Sequence, residues 1–207
     1  DSDSYPGNVA FLRDAGGGPP CVRFGDGERR HKMAKPEFDL AVIGGGAGGL
    51  VVAAGGAALG AKVALVEKHK LGGDCLNTGC VPSKALLRSA KFLSHVSRAK
   101  ELGCRSASAD FSFAEVMERV QRIVRDIEPH DSVERYTGLG VDVIQGSAKI
   151  VSPWEVEVTH HDGAIERLST RSIVVAAGAR PFVPPIPGIE ETGYLTSDTV
   201  WDLRQLP

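Results

Sequence analysis

A glycine-rich turn between two short apolar runs restricts the fold of this chain more than any other feature. Residues 38–43 are mostly apolar up to a glycine at position 44, which is typical of a buried strand. Small residues over 47–59 predict a helix that can pack closely on a sheet, and the run 62–67 predicts a second strand. A crossover of this length joins parallel strands, so we predict a βαβ unit and an α/β fold.

The same segment is long and almost uncharged, as a membrane span would be. Between Asp39 and Val66 the charged residues are Asp39 itself and Lys62. Glycines recur throughout the segment, however, and strand-like runs lie at both of its ends. We therefore interpret it as a strand, a turn, a helix and a strand that are buried on both sides, and we expect no membrane contact.

The spacing of the glycines predicts a dinucleotide site. Gly44, Gly46 and Gly49 follow the pattern G-x-G-x-x-G between a strand and a helix, where the free N–H groups of the helix can hold a pyrophosphate. Glu67 ends the second strand and can accept hydrogen bonds from a ribose hydroxyl. The alternative is a structural glycine-rich turn, with Glu67 as a solvated charge at the strand end.

Two cysteines lie five positions apart where a predicted loop meets a predicted helix. Cys75 and Cys80 lack the second ligand pair of a structural zinc site, and a disulfide across so short a loop gives only about 2 kcal/mol. Lys84 follows Cys80 by four residues, so its ammonium and the helix N-terminus can stabilise a thiolate. We interpret the pair as redox-active. Inert buried thiols and a solvated surface lysine are the alternatives.

Composition and charge argue against several other classes of protein. A net charge of −2 without long charged blocks gives no indication of nucleic-acid binding. Four cysteines are too few for a disulfide-stapled secreted scaffold, and no secretory signal opens the chain, so we expect a cytoplasmic protein. Cys21, Cys104 and the six histidines lack the surroundings of a reactive site. We predict no metal site.

The rest of the chain predicts two more helices and several short strands. Apolar residues at helical spacing cover 75–99, entered from the loop with the cysteines, and 111–136, which Pro129 should bend or end. Residues 1–36 show no periodicity and are expected to be a tail or linker, with Met33 as a candidate natural start. Strands are predicted at 141–144, 148–151, 155–159, 165–169 and 172–177, with a hairpin turn at Asp162-Gly163 and an extended proline-rich segment at 181–187.

With these motifs the chain resembles the class I pyridine nucleotide–disulfide oxidoreductases over residues 37–207. The resemblance rests on Gly-Gly-x-Cys-x₄-Cys-x-Pro-Ser-Lys at 72–84 and on the run Val174–Pro181, where Ala177 stands at a position that is threonine in many members. It implies a Rossmann-like FAD-binding domain with a central parallel sheet and a small antiparallel β-meander insert.

The resemblance also implies roles for individual residues. Cys80 would be the thiol nearest the flavin and form the charge-transfer thiolate, Cys75 would exchange with substrate, and Lys84 would lie near the reactive flavin edge. The backbone of Ala148 would contact the adenine end. The FAD-binding positions implied in this way are Gly44, Gly46, Ala47, Gly48, Gly49, Glu67, Lys68, Gly73, Asp74, Cys75, Gly79, Cys80, Lys84, Ala148, Ala177 and Gly178.

Members of this family continue into an NAD(P)H-binding domain and a dimerisation domain with a His–Glu pair. The resemblance therefore implies the N-terminal FAD domain of a homodimeric enzyme of cell redox homeostasis, inactive as 207 residues alone. Such an enzyme would pass two electrons between NAD(P)H, FAD and the Cys75–Cys80 disulfide.

The resemblance leaves the substrate and two other functions open. Mercuric-reductase-like and dihydrolipoamide-dehydrogenase-like members imply a small-molecule or protein disulfide or dithiol, or Hg(II), as substrate. The alternatives to such an enzyme are a flavin-binding redox-sensing module without turnover and an NAD-linked dehydrogenase whose cysteines are structural.

Overall fold

A parallel sheet forms the centre of the computed structural model, which describes residues 35–207. Its strands are β1 Leu40–Ile43, β2 Val63–Glu67, β3 Val141–Gln145 and β7 Ile173–Val175, in the order β3-β2-β1-β7. Helix α1, Ala47–Ala58, connects β1 to β2 and completes the predicted βαβ unit. Of the predicted tail, residues 1–34, which include Cys21 and Met33, lie outside the described residues.

Every strand pair in this sheet is parallel, so the C-terminal ends of the strands lie along one edge. Ile43 pairs with Val66 on one side and with Val175 on the other. Glu67, at the end of β2, pairs with Gln145. The residues that follow these strands therefore meet at the edge where open α/β sheets bind their ligands.

A second, three-stranded sheet is antiparallel. It contains β4 Ser147–Ser152, β5 Glu155–Thr159 and β6 Ile165–Ser169 in the order β4-β5-β6. The connection between β5 and β6 is closed by a 3.0 Å hydrogen bond from the Gly163 N–H to the His160 carbonyl. The Asp162 carboxylate accepts from the Ala164 N–H at 2.9 Å. The predicted β-meander, with its turn at Asp162-Gly163, is confirmed.

Two apolar clusters cover the parallel sheet, because successive side chains of a strand point to opposite faces. Burying a valine or leucine completely contributes about 1.5–3 kcal/mol to folding, so each cluster is a substantial source of stability. The cluster beside α1 contains Val42, Leu50, Ala53, Val63, Leu65, Leu71, Tyr136 and Val141. The cluster shared with the second sheet contains Phe38, Ala41, Ala64, Val66, Val156, Val158 and Leu168.

Helices occupy the stretch between β2 and β3. They are α2 Gly73–Asn77, α3 Cys80–Ser97, α4 Phe113–Ile127 and α5 Val133–Gly138. A 3-10 helix over Glu128–Asp131, which contains Pro129, separates α4 from α5, so the predicted interruption at this proline is confirmed. The later chain forms α6 Ile189–Thr192 and a 3-10 helix over Val200–Asp202.

Two predicted elements differ from the observed ones. The cysteines were predicted in a loop that enters one long helix, but Cys75 lies in the separate five-residue helix α2. The strand predicted at 172–177 covers only 173–175, although Ala176 still donates to the Ile43 carbonyl at 2.8 Å. Because β1 ends at Ile43, it offers no partner to residue 177.

Among the helices of residues 35–207, none combines the length and the apolar character that crossing a membrane requires.

Candidate functional site

The glycine loop lies at the edge where β1, β2 and β7 end. Its first residue, Gly44, donates from its N–H to the Val66 carbonyl at 2.8 Å. A Cβ added to Gly44 would overlap the carbonyl oxygen of Ala176, so the chain after β7 passes directly over the loop. This contact brings the predicted cofactor-binding residues Ala177 and Gly178 beside the loop, and both are exposed.

Gly49 sets the distance between the loop and α1. A Cβ on this buried glycine would overlap the Gly44 carbonyl oxygen, so the helix packs on the loop backbone with no room for a side chain. Gly46 is the N-cap of α1, and no described side chain caps this end or places a carboxylate in its first turn. Ala47 and Gly48 are exposed at the same end. An uncapped, accessible helix N-terminus fits the pyrophosphate of a dinucleotide.

Glu67 is held by backbone donors on both carboxylate oxygens. Its Oε2 accepts from the Gly45 N–H at 2.6 Å and its Oε1 accepts from the His69 N–H at 2.8 Å. Each oxygen of an ionised carboxylate can accept about two hydrogen bonds, so a ribose hydroxyl still finds an acceptor. Gly45 has a structural role that the sequence pattern missed, because only the fold brings its N–H to the Glu67 side chain.

Two further predicted cofactor-binding residues are Ala148, expected at the adenine end, and Lys68, which directly follows Glu67. The Gly146 N–H donates to the Glu67 backbone carbonyl at 2.9 Å, which places the start of β4 at the end of β2. Ala148, in β4, packs against the cluster shared by the two sheets. Lys68 follows β2 and is exposed. These positions are compatible with the predicted contacts to an adenosine, which stay a prediction.

The glycine loop and the segment with the cysteines touch through their backbones. The Gly72 N–H donates to the Gly45 carbonyl at 2.8 Å, and Gly46 and Gly72 form an isolated parallel bridge. A Cβ on Gly73, where φ is +52°, would lie 2.6 Å from the Cα of Gly46. The fold therefore joins the predicted phosphate cradle and the predicted redox segment in one site.

The turn between α2 and α3 is fixed by internal hydrogen bonds. The Asn77 amide donates to the carbonyls of Leu71 at 3.2 Å and Gly73 at 2.9 Å. The Thr78 N–H donates to the Asp74 carbonyl at 3.0 Å, and Gly79 is the N-cap of α3. Asn77 is a second residue whose structural role the sequence pattern did not indicate.

This turn places the two cysteine thiols near enough for Cys80 to act on the protonation of Cys75. Cys80, the first residue of α3, is exposed and Cys75 is half-buried, and both thiols are free. The pKa of Cys75 is raised, first by a hydrogen bond to the Cys80 side chain and then by burial and by the charges of Cys80 and Asp131. The Lys84 ammonium acts in the opposite direction.

The pKa of Cys75 adds to the sequence interpretation, which paired Lys84 with Cys80 and implied that Cys80 forms the thiolate. That expectation stays a prediction. At Cys75 the partner thiol, burial and Asp131 outweigh Lys84, so this thiol holds its proton more firmly than an ordinary cysteine. Asp131 lies in the 3-10 helix after α4, and its influence on Cys75 could not be read from the sequence.

We expect the raised pKa of Cys75 to be visible in its reaction with iodoacetamide. Peptide mass spectrometry against pH should give a midpoint above that of an ordinary thiol, because only the thiolate reacts. Cys80→Ala should lower this midpoint and Lys84→Gln should raise it. Lys91→Gln, which removes another exposed charge of α3, is the matched control and should leave it unchanged. An unchanged midpoint in Cys80→Ala would show that the partner thiol is not the cause.

The other candidate groups lie apart from this arrangement. Cys104 is exposed and follows α3 in an irregular segment. Within residues 35–207 there is no group of three or more histidine, cysteine, aspartate or glutamate side chains placed to hold a metal ion.

Comparison with known proteins places this arrangement among related chains. Residues 38–207 match the family model described as pyridine nucleotide-disulphide oxidoreductase. The chain is 36% identical over 181 residues to a dihydrolipoyl dehydrogenase of Bacillus subtilis, covering 83% of this chain and 38% of the relative. It is 34% identical over 171 residues to a mercuric reductase of Lysinibacillus sphaericus, covering 82% of this chain and 30% of the relative.

A solved structure shows the same fold. A Cu(II) complex of an HOCl-induced flavoprotein disulfide reductase from Escherichia coli superposes with a TM-score of 0.68 at 26% identity. The match covers 84% of this chain and 36% of that one. The chain thus spans less than half the length of each of these relatives.

Proposed function

The chain belongs to the pyridine nucleotide–disulphide oxidoreductase family, and from this premise we propose that Cys75 and Cys80 are its redox-active pair. The observation that carries the proposal is the backbone contact that joins the glycine loop, suited to a dinucleotide, to the segment that holds both thiols. We propose further that residues 37–207 are the FAD domain of an NAD(P)H-dependent disulfide oxidoreductase. Its homodimeric state and its cytoplasmic location stay predictions.

The family match confirms the predicted resemblance. The two sheets confirm the predicted α/β fold. The family uses FAD as its cofactor, with NAD(P)H as the nicotinamide partner. In our proposal the N-terminus of α1 and the glycine loop hold the pyrophosphate, and Glu67 holds a ribose hydroxyl. FAD, when bound, supplies two-electron chemistry between a nicotinamide and a disulfide.

The chain's own residues perform the thiol exchange in this proposal. The Cys75 thiolate attacks one sulfur of a substrate disulfide and releases the first thiol. Cys80 then attacks the sulfur of Cys75, which forms the Cys75–Cys80 disulfide and releases the second thiol. Two electrons leave with the two product thiols. Oxidation of NAD(P)H with uptake of one proton restores the dithiol, and a dithiol substrate runs the same exchange in reverse.

The proton on Cys75 must leave before this thiol can attack. Its hydrogen bond to the Cys80 side chain gives the proton a path to the partner sulfur, and the Lys84 ammonium stabilises the thiolate that remains. Cys80 is the more exposed of the two thiols in the described chain. We propose that the cofactor covers Cys80 when it is bound.

Two classes of substrate are compatible with this pair. Thiol exchange acts on a disulfide or dithiol, as expected of a dihydrolipoyl-dehydrogenase-like relative. Two adjacent thiolates are also soft ligands suited to Hg(II), as expected of a mercuric-reductase-like relative. We propose that the substrate belongs to one of these classes, and substrates of each class can be supplied in turn to the full-length protein.

An anaerobic titration of the full-length protein with NAD(P)H tests the proposal. The oxidised protein should show a flavin spectrum, and two electrons should produce a long-wavelength absorption band and two titratable thiols. Cys80→Ser should remove the band, because the hydroxyl is not ionised at neutral pH, whereas Cys104→Ser should retain it.

Two results would contradict the proposal. A colourless protein that oxidises its substrate with NAD would support the dehydrogenase whose cysteines are structural. Reduction of the flavin and of the Cys75–Cys80 pair without turnover of any supplied disulfide, dithiol or Hg(II) would support the flavin-binding redox-sensing module.

A further inference from the structure

Trp201 contacts the turn between the two cysteines although it lies 123 positions after Thr78 in sequence. It belongs to the 3-10 helix Val200–Asp202 and is 9% exposed. Its ring packs in a cluster with Ala85 of α3 and with Met117 and Val120 of α4. The contact therefore comes from a segment far along the chain that is firmly seated on the helices.

The indole N–H is shared between two backbone carbonyls. Trp201 Nε1 donates to the Thr78 carbonyl at 2.8 Å and to the Ser197 carbonyl at 2.7 Å. The indole N–H is the single polar group of a tryptophan side chain and can only donate, so these two bonds are the polar contacts of this side chain. Thr78 is inside the four-residue spacer that separates Cys75 from Cys80.

The orientation of the Thr78 carbonyl determines how the chain enters α3. This carbonyl belongs to the peptide plane between Thr78 and Gly79, and Cys80 follows directly as the first residue of α3. A Cβ on Gly79 would lie 2.8 Å from the Asp74 carbonyl oxygen, so the turn is already closely packed on its inner side. Asn77 fixes the start of the turn through the carbonyls of Leu71 and Gly73. Trp201 fixes its Thr78 carbonyl.

We propose that Trp201 is a positioning residue for the redox pair: its indole N–H holds the turn in the shape that keeps the two sulfurs adjacent. This inference rests on the proposed redox role of Cys75 and Cys80. A disulfide requires a narrow range of separations between its two cysteines. Holding the turn therefore favours the disulfide over two separated thiols. The bond from Trp201 is present with both thiols free, so it acts by limiting how far the thiols can separate.

Replacing Trp201 by phenylalanine tests the inference, because it keeps a large ring and removes the N–H. The full-length protein is equilibrated with a series of dithiothreitol buffers, and the oxidised fraction of the Cys75–Cys80 pair is read by alkylation and peptide mass spectrometry. This readout needs no turnover. W201F should shift the equilibrium toward the dithiol by up to about five-fold, the limit set by one hydrogen bond. For a two-electron couple this is about 20 mV.

Two further variants make the result decisive. W154F changes the half-exposed tryptophan between β4 and β5 and should leave the equilibrium unchanged. If W201F does not fold, β-(3-benzothienyl)alanine at position 201, which is isosteric with tryptophan and lacks the N–H, should give the same shift toward the dithiol.

The outcomes separate this inference from the proposed function. Suppose that the wild-type protein forms the disulfide and that W201F, or the benzothienyl variant, has the same equilibrium. This result would overturn the role of Trp201 and leave the proposed function in place. Wild-type protein that forms no Cys75–Cys80 disulfide in any buffer would overturn the proposed function, and this inference with it.

Discussion

Gly49→Ala should destabilise the chain by about 3 kcal/mol, because the new methyl group would overlap the Gly44 carbonyl oxygen. Neither partner of this contact can move freely: Gly44 is tied to Val66 by a 2.8 Å hydrogen bond, and α1 is packed on the sheet through Leu50 and Ala53. Since whole domains are stable by only about 5–15 kcal/mol, this loss is a large fraction of the total.

Gly55→Ala is the matched control in the same helix. A Cβ at this position meets nothing within 4 Å, and alanine is the better helix former, so stability should rise by about 0.5–1 kcal/mol. Urea unfolding of the flavin-free protein, followed by circular dichroism, measures both variants without the added stability of a bound ligand. If Gly49→Ala and Gly55→Ala behave alike, the close contact between loop and helix is not what makes Gly49 necessary.

Cys75→Ser in the full-length protein should lower NAD(P)H-dependent reduction of a disulfide substrate by about three orders of magnitude or more. The hydroxyl cannot form the mixed disulfide that we propose, and no other described thiol lies beside Cys80 to replace it. Steady-state turnover with the substrate that the wild-type protein uses measures the loss. Reduction of a dye acceptor, which takes electrons without thiol exchange, should persist.

Cys104→Ser is the control for loss of a thiol elsewhere. Cys104 is exposed and follows α3 in an irregular segment, so turnover should equal that of the wild type. Retention of more than a tenth of the activity in Cys75→Ser would contradict a direct role for this thiol in exchange. Loss of dye reduction as well would indicate that the substitution had disturbed cofactor binding.

The sequence predicted the elements whose signal is local. The βαβ unit follows from two apolar runs and a glycine turn, and β5 and β6 have the predicted bounds, because apolar and polar residues alternate in β5 and a turn sequence separates the two strands. The interruption of the long helix follows from Pro129. The family resemblance rested on the fixed spacing of Cys75, Cys80 and Lys84, and the comparisons confirm the family.

Contacts between distant residues could not be predicted in this way. The bond from Gly45 to Glu67 spans 22 positions, and the bond from Trp201 to Thr78 spans 123. Helix α2 was missed because its five residues contain a single buried apolar side chain, Leu76, and Asn77 stabilises it by a bond to the Gly73 carbonyl. The pKa of Cys75 is raised first by Cys80 and by burial, and the smaller contribution of Asp131 arises because the tertiary structure brings it near.

The backbone contact between Gly46 and Gly73 has a practical consequence for protein engineering. With only 2.6 Å between the Cα of Gly46 and the place where a methyl group would stand, no spacer can be inserted between the two glycine turns. A designer who transplants the thiol motif to another scaffold must move residues 44–84 as one block. Grafting the cysteines alone would transfer the sequence motif without the glycine loop against which its backbone packs.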